Sequence, residues 1–543
     1  MNVQVVIPMS GFGERFRAKG YTVPKPLIRV AGAPMIEHVL DMYPTSVDVV
    51  FIVNEDHLKN DDFRMGEILT SLRPQAKIVP IASHKSGPSG AVALARDAIN
   101  PVTPTIVNYC DFTSLWDFDG FIELLSRCDG VVATYTGFHP HMARSTKFAY
   151  VTGDGNRVSG IQEKQSYTSH PMRERASCGT YGFSSGALML DAIDKQIERN
   201  LNLGGEFYTS LTYIPLLDEE RDIRSYNIDR FFQWGTPEDL DDFVAAFDSF
   251  ESIGVVRPPR YGRINSVLLA GGLGARFANL GYETPKASLP LSGKPAWMQV
   301  VESVRDDREH VTVCRTGVLD TLQAANYGSV VELESLTSGQ AASAQIGMEA
   351  LKPEAGPVLI ASCDALFPEG HRSQVDSTVP DITVWVCKSG AKSDSHPEQF
   401  AWVRVDDESR VVDFAMKNAP GDTGNWFVVS GTFQFASVDT ARSYISTMMR
   451  EEIRTNNEYY LDNAIAIALR NGASVMADIR TDFVGLGTPE EYESFRYWQG
   501  TFHHWRHSSY ELTRDWMVSE SDVDELLAQS LVELNTPLSR FEG

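Results

Sequence analysis

An α/β class is predicted: two tandem, doubly wound domains with mostly parallel sheets, followed by a helical C-terminal extension. Three observations predict it. The chain repeats itself once, apolar β-branched runs alternate with helical patterns inside each copy, and the last segment has no counterpart in the first copy. The length of 543 residues allows two to four domains, at roughly 100–200 residues each. A hydrophobic share of 43% against 22% charged residues suits ordinary buried cores.

The repeat is seen by laying Val3 to Val39 on Ile264 to Val300. Both stretches give a strand, a Gly-rich turn, Arg-Phe, Gly-Tyr, Pro-Lys, a short strand, and a Gly-x-Pro turn into a helix. Arg15 and Arg276 are 261 residues apart, as are Lys25 and Lys286. Further along the spacing falls to 253 (Asp111 and Asp364, Lys164 and Lys417) and then 252 (Glu206 and Glu458, Gly235-Thr-Pro-Glu and Gly487-Thr-Pro-Glu). One small deletion explains the change. The period is far too long for a solenoid, so a whole domain is duplicated.

In the first copy VQVVIP, VDVVFIV, KIVPI, PTIVNYC and GVVATYTG are strand-like, with helices expected over Pro34–Tyr43 and Gly90–Ala98. Continuous apolar strands alternating with helices imply a mostly parallel sheet covered on both faces. Ligands of such sheets sit at the carboxyl ends of the strands. The expected boundaries are a first domain at 1–254, a Pro-rich linker at 255–263, a second domain at 264–495, and an extension at 496–543 of one or two amphipathic, aromatic-rich helices. The His503, His504, His507 cluster in that extension has no carboxylate or thiol companions and is taken as surface.

Net charge is −24. That disfavours non-specific binding to nucleic acid or to anionic membranes, both of which need clustered Lys and Arg. No 18-residue apolar run appears, so no spanning helix is expected. The start, MNVQVVIPMSGFGERF, reads as a strand entering a loop and not as a secretory signal. Six scattered cysteines with no Cys-x-x-Cys pair suit reduced thiols and a cytoplasmic protein.

SGFGERF and GGLGARF each follow a first strand. Closely spaced glycines let the backbone wrap a phosphate with its N–H groups turned toward the anion. The planar guanidinium of Arg15 or Arg276 follows where it can reach phosphate oxygens. Neither turn holds Gly-Lys-Ser/Thr, and Phe16 and Phe277 stand where a dinucleotide fingerprint needs its third glycine. Taken with Pro-Lys downstream, both copies resemble the sugar-phosphate nucleotidyltransferases (pyrophosphorylases), whose pattern is Gly-x-Gly-x-Arg-Leu/Phe followed by Pro-Lys-Pro. The resemblance runs through Gly-Thr-Pro-Glu and covers about 490 residues. Through GYTVPKPLI, GFHPHM, GIQEKQ and CGTYGF, the first copy is most similar to versions from bacterial capsule and surface-polysaccharide pathways.

The resemblance implies a GT-A-like fold and a Mg²⁺-dependent enzyme. A sugar-1-phosphate oxygen attacks the α-phosphorus of a nucleoside triphosphate in line, and pyrophosphate leaves. It implies that Gly11, Gly13, Arg15 and Lys25 hold the triphosphate in the first copy, with Gly271, Gly272, Gly274, Arg276 and Lys286 in the second. Ser86-Gly87 and Ser338-Gly339-Gln340 sit where the family reads the base, and Asp111 and Asp364 where it holds the metal. Acceptor contacts are implied for Glu163, Lys164, Gly179 and Glu206, and for Lys417, Gly431 and Glu458. The partners expected are a nucleoside triphosphate and a sugar-phosphate-like acceptor; association of the chain with itself is left open.

The family's second metal-binding Asp falls at Gln233 and Gly485, with Asp229 and Asp482 nearby as candidate substitutes. The second copy reads PKAS and carries Met416 where the first has Glu163. A non-catalytic nucleotide sensor is therefore the alternative function. A GT-A glycosyltransferase ranks last, because neither Asp111 nor Asp364 begins an Asp-x-Asp.

Overall fold

The structure, a computed structural model, describes residues 2–254, 257–306, 308–352, 356–370, 379–389, 393, 396–417, 424–534 and 536–540. Val255 and Val256 of the expected linker, and residues 535 and 541–543 of the expected extension, lie outside the described residues. The chain forms two compact units. One runs up to Val244 and takes in the chain from Leu531 onward; the other is Ala245–Ser530. The division falls inside the helix Pro237–Ser252, so the units are not coextensive with the repeats.

The first unit is built on a nine-stranded sheet. Gln4–Met9 lies at its centre, parallel to Asp48–Asn54 on one side and to Thr105–Asn108 on the other. Lys77–Ile81 continues the parallel run. The long strand Arg175–Phe183 runs against Thr105–Asn108, Gly130–Tyr135 and Tyr150–Thr152. Ile223–Asn227 lies parallel to Gly130–Tyr135, and Gly160–Gln162 runs against Tyr150–Thr152. All strands except Arg175–Phe183 and Gly160–Gln162 therefore point one way. Alternate side chains of Gln4–Met9 enter two separate cores: Val5 and Ile7 pack with Ile36, Val39 and Phe51, while Val6 packs with Val92, Val107 and Ile193. That two-sided burial is why the strands are apolar throughout.

The second unit repeats the plan with Asn265–Ala270 at the centre of nine strands. Trp426–Phe435 is the reversed long strand. The helix Gln340–Glu349 lies close on this sheet: a methyl on Gly347 would come within 2.6 Å of Val267 and 2.8 Å of Val313. The helix after each long strand is capped alike, with Ser185 Oγ accepting from Leu188 N–H and Ser437 Oγ from Thr440 N–H.

Two stretches depart from the expected boundaries. The helix Pro489–His504 passes through residue 496 without a break, so the C-terminal segment begins inside a helix of the second unit. Leu531–Leu534 joins the first unit, where Phe138 N–H donates to Leu534 O at 3.0 Å and the Arg230 guanidinium to Val532 O at 3.1 Å. The segment entering the second sheet is pinned by the buried Asp306, whose carboxylate accepts from Tyr261 N–H, from Arg263 N–H at 2.7 Å and from Ile264 N–H at 2.9 Å. Beside it Glu302 gathers Arg260 and Arg257. Asp306→Ala strands these amides and is expected to destabilise the second unit by about 3 kcal/mol, read as a lower urea midpoint. An unchanged midpoint would show that the carboxylate does not hold this segment.

Candidate active site

Each Gly-rich turn leaves the carboxyl end of a central strand and closes into a short helix. Only one glycine per turn needs glycine's freedom. Gly13 and Gly274 sit at φ 63° and 62°, where a side chain is strained. A Cβ there would stand 3.6 Å from Lys25 Cβ and 3.2 Å from Lys286 Cβ. Gly11, Gly271 and Gly272 keep negative φ and line open turn. The turn thus folds back onto its lysine. Phe16 and Tyr21 meet edge-on at 5.2 Å, as do Phe277 and Tyr282, which fixes the loop between helix and lysine.

The lysines reach the strand-end aspartates. Lys25 Nζ donates to Asp111 Oδ2 at 2.6 Å and to Gly235 O at 2.8 Å. Lys286 Nζ donates to Asp364 Oδ2 at 2.6 Å. Burial pushes the Asp364 carboxyl up, but Lys286 and the Ser362 hydroxyl outweigh it and hold the group below its ordinary range. Asp111 O and Asp364 O in turn accept from Trp234 N–H at 3.1 Å and Leu486 N–H at 2.8 Å, tying the late Gly-Thr segments to the same place.

A second acid lies near each lysine, three residues after the threonine that caps the last helix. Thr488 and Glu491 form a full capping box, and Thr236 pairs with Asp239 at 3.0 Å. The Glu491 carboxylate lies 3.2 Å from where a Cβ on Gly485 would stand, and its charge raises Lys286. In the first half Gln233 Nε2 and Asp111 Oδ2 flank Gly235, at 2.6 and 3.6 Å from its Cβ position. The repeated Gly-Thr-Pro-Glu marks the helix start, and the acid after it is the signal from which these two residues could have been found.

Neither candidate substitute for the second aspartate sits with this pair. Asp482 is fully buried and doubly bonded to the Arg480 guanidinium, at 2.8 Å each. Asp229 caps the far end of a two-stranded ribbon, its N–H on Leu115 O, while Gln233 pairs with Phe112 beside Asp111.

The segments expected to meet the base are stitched to those expected to meet the acceptor by the same two bonds in each half. Phe207 N–H donates to Ser86 O (2.9 Å) and Ser89 N–H to Phe207 O (3.0 Å); Tyr459 N–H donates to Ser338 O (2.9 Å) and Ala341 N–H to Tyr459 O (3.0 Å). Gly87 and Gly339 allow this approach, since a Cβ would fall 2.8 Å from Phe207 N and 2.5 Å from Tyr459 N. Gln340 opens the helix behind. In the first half His84 bridges Ser10 Oγ at 3.1 Å and Ser86 Oγ at 2.8 Å, and burial lowers its pKa.

Lys164 and Lys417 both adopt left-handed backbone, at φ 59° and 51°, and both lie 4.4 Å over a tyrosine ring, Tyr208 and Tyr460. Tyr208 Oη donates to Glu206 Oε2 at 2.5 Å, and the charge of the exposed Arg15 acts on the same phenol. Glu163 Oε2 accepts from Ser210 Oγ at 2.5 Å, and burial pushes its carboxyl up. Tyr109 feels both Glu163 and Asp111. One continuous polar face therefore joins Arg15, Lys25, Asp111, Glu163, Lys164 and Glu206. Arg276 and Glu458 are exposed on the matching elements of the second half. Gly179 and Gly431 stand apart, inside the long reversed strands at φ 100° and 81°. A Cβ on Gly179 would press on Phe112 at 3.0 Å, so close packing accounts for it.

Lys286→Met is expected to release Asp364 to the upward push of burial. In the parent the pair contributes stability above the unfolded carboxyl pKa, and this is lost as pH falls through the lower folded value. In the variant stability is instead lost as pH rises. The stability difference, followed by urea unfolding, should grow between about pH 3 and 7; a constant difference would refute the pairing.

A model of the MobA-like NTP transferase domain matches residues 5–154 and 266–394. No curated protein matches the chain. A nucleoside-diphosphate-sugar pyrophosphorylase from Vibrio cholerae RC9 is 21% identical with TM-score 0.38, covering 44% of this chain and 99% of its own. The inositol-1-phosphate CTP transferase from T. maritima is 18% identical with TM-score 0.35, covering 51% and 100%. A UDP-glucose pyrophosphorylase from Acinetobacter baumannii is 14% identical with TM-score 0.36, covering 46% and 94%.

Proposed function

Because the chain belongs to the MobA-like NTP transferase domain family in both of its halves, we propose that it joins a nucleoside triphosphate to a sugar-1-phosphate or similar phosphate acceptor and releases pyrophosphate. The observation that carries this reading is the lysine–aspartate pair at 2.6 Å beside a left-handed glycine, present twice on equivalent strand ends. In this reading the turn amides, Arg15 or Arg276, and Lys25 or Lys286 bind the triphosphate. Ser86-Gly87 or Ser338-Gly339-Gln340 meet the base. Lys164 and Lys417 grip the acceptor phosphate, flanked by Glu163 and Glu206 or by Glu458.

The acceptor phosphate is already an anion, so its oxygen attacks the α-phosphorus without a side-chain base. The α–β phosphoanhydride bond breaks and pyrophosphate departs with the electron pair. The residues position the two phosphates in line and oppose the negative charge that develops.

The donor set suits Mg²⁺. Asp111 and Asp239 near Lys25, and Asp364 and Glu491 near Lys286, are hard oxygen donors at the place where the phosphates would lie. The first-half cradle holds Arg15, Lys25 and Lys164 against Asp111, Asp239, Glu163 and Glu206, so its own bases do not outweigh its acids. A polyphosphate entering it is better neutralised with a divalent cation, which takes one or two carboxylates plus phosphate oxygens. Asp111 and Asp364 would hold that ion, and when bound it would supply charge neutralisation at the phosphates.

We place this activity in the cytoplasm and in nucleotide-sugar supply for surface polysaccharide. Six free thiols accord with that setting, and among the described residues no helix is long and apolar enough to cross a membrane.

Pyrophosphate release is measured with each nucleoside triphosphate and a panel of sugar-1-phosphates in Mg²⁺. Asp111→Asn and Asp364→Asn, made separately, are each expected to remove one half's share, and the double variant to lower the rate by about 100-fold or more. If neither single change nor the double lowers the rate, the assignment of these carboxylates is wrong. Nucleotide binding with no release for any pair would instead favour a sensing role.

A further inference from the structure

The two halves carry their carboxylate at different positions of corresponding segments. In the first half Glu163 and Ser210 touch, Oε2 to Oγ at 2.5 Å. Glu163 directly precedes the left-handed Lys164, and Met416 directly precedes the left-handed Lys417. Ser210 stands four residues after Glu206, and Asp462 four residues after Glu458. The pair Glu163–Ser210 has thus become Met416–Asp462: the strand position has lost its acid and the helix position has gained one.

Asp462 stands at the N-cap of Asn463–Arg470, yet its side chain makes no capping bond. It is 8% exposed, a costly place for a carboxylate. Burial pushes its carboxyl up to about 6, while a hydrogen bond from its own backbone N–H and then the charge of Lys417 oppose that rise. The strand Val411–Met416, which ends at Met416, packs against the helix Asn463–Arg470.

We infer that Asp462 is the acceptor-contacting carboxylate of the second half, taking the place of Glu163 from the opposite side of the cradle. This rests on the transferase reading above. The second half then takes a phosphate acceptor that turns a hydrogen-bond donor toward the helix Asn463–Arg470 and an apolar edge toward Met416. A deoxy sugar phosphate meets that description better than a fully hydroxylated one. The halves would therefore activate different acceptors, and Met416 marks altered selection and not loss of function.

The test uses the full chain with Asp111→Asn to silence the first half, and hexose-1-phosphates with their monodeoxy analogues as probes. Added to this parent, Asp462→Asn is expected to raise the acceptor KM by about tenfold or more, with the nucleotide KM within about twofold and an unfolding midpoint at neutral pH no lower than the parent's. Asn is as good a helix cap as Asp, so a merely structural role would not move the acceptor KM. Met416→Glu with Asp462→Ser, which rebuilds the first-half pattern, should shift preference toward the fully hydroxylated acceptor. Product from the parent with an acceptor KM untouched by Asp462→Asn overturns this inference alone. An equal rise in nucleotide KM also overturns it. A parent that makes no product, while Asp364→Asn alone does, overturns two-site turnover and this inference together.

Discussion

The site depends on a buried-edge ion pair at the end of an apolar strand. Strand Thr105–Asn108 carries Asp111 out of the core, and Val358–Ser362 carries Asp364. A carboxylate there sits against protein on one side, where burial disfavours its charge. The lysine from the second segment offsets that cost, and in doing so it fixes where the Gly-rich turn lies, because the turn packs on the lysine's own Cβ. The late Gly-Thr segment is then tied to the backbone of the same aspartate. Three segments far apart in sequence converge on one pair of opposite charges.

Duplication lets one half serve as the control for the other. The left-handed glycine, the lysine–aspartate distance, the stitching bonds between base and acceptor segments, and the lysine over a tyrosine ring recur with nearly the same values. Features retained through so much sequence change between halves are ones the geometry cannot relax without losing the cradle.

Much of this was legible in the sequence because it rests on local rules. Alternating apolar runs announced a covered, mostly parallel sheet, and seven of nine strands in each sheet share one direction. Spacing alone paired Lys25 with Lys286 and Asp111 with Asp364. What escaped notice depends on three-dimensional neighbours. Asp239 and Glu491 follow the Gly-Thr-Pro-Glu segments without any motif of their own, and only folding brings them near the lysines. Asp482 looked available but faces Arg480 in the interior. Gly179 looked like a ligand contact, yet its lack of a side chain serves Phe112 and Tyr109. The return of Leu531–Leu534 to the first unit follows from backbone bonds that no periodicity signals.

The differences between halves are as informative as the agreements. Ser10 and His84, which bridge the first turn to Ser86, correspond to Gly271 and Leu336, which cannot. Glu163 and Ser210 correspond to Met416 and Asp462, and Gln233 corresponds to Gly485. Apart from Ser10 and Gly271, which open the turn, none of these positions belongs to the turn, the lysine or the strand-end aspartate. They lie where, in the proposed reading, the base, the acceptor and the flank of the phosphates are recognised. Hydrogen-bonding side chains in such places discriminate strongly, since a ligand lacking the matching group leaves a buried polar atom unpaired. A duplicated domain drifting toward inactivity has no reason to spare the lysine–aspartate pair while altering its surroundings. In the proposed reading, divergence concentrated around a shared lysine–aspartate pair fits two halves that choose different ligands.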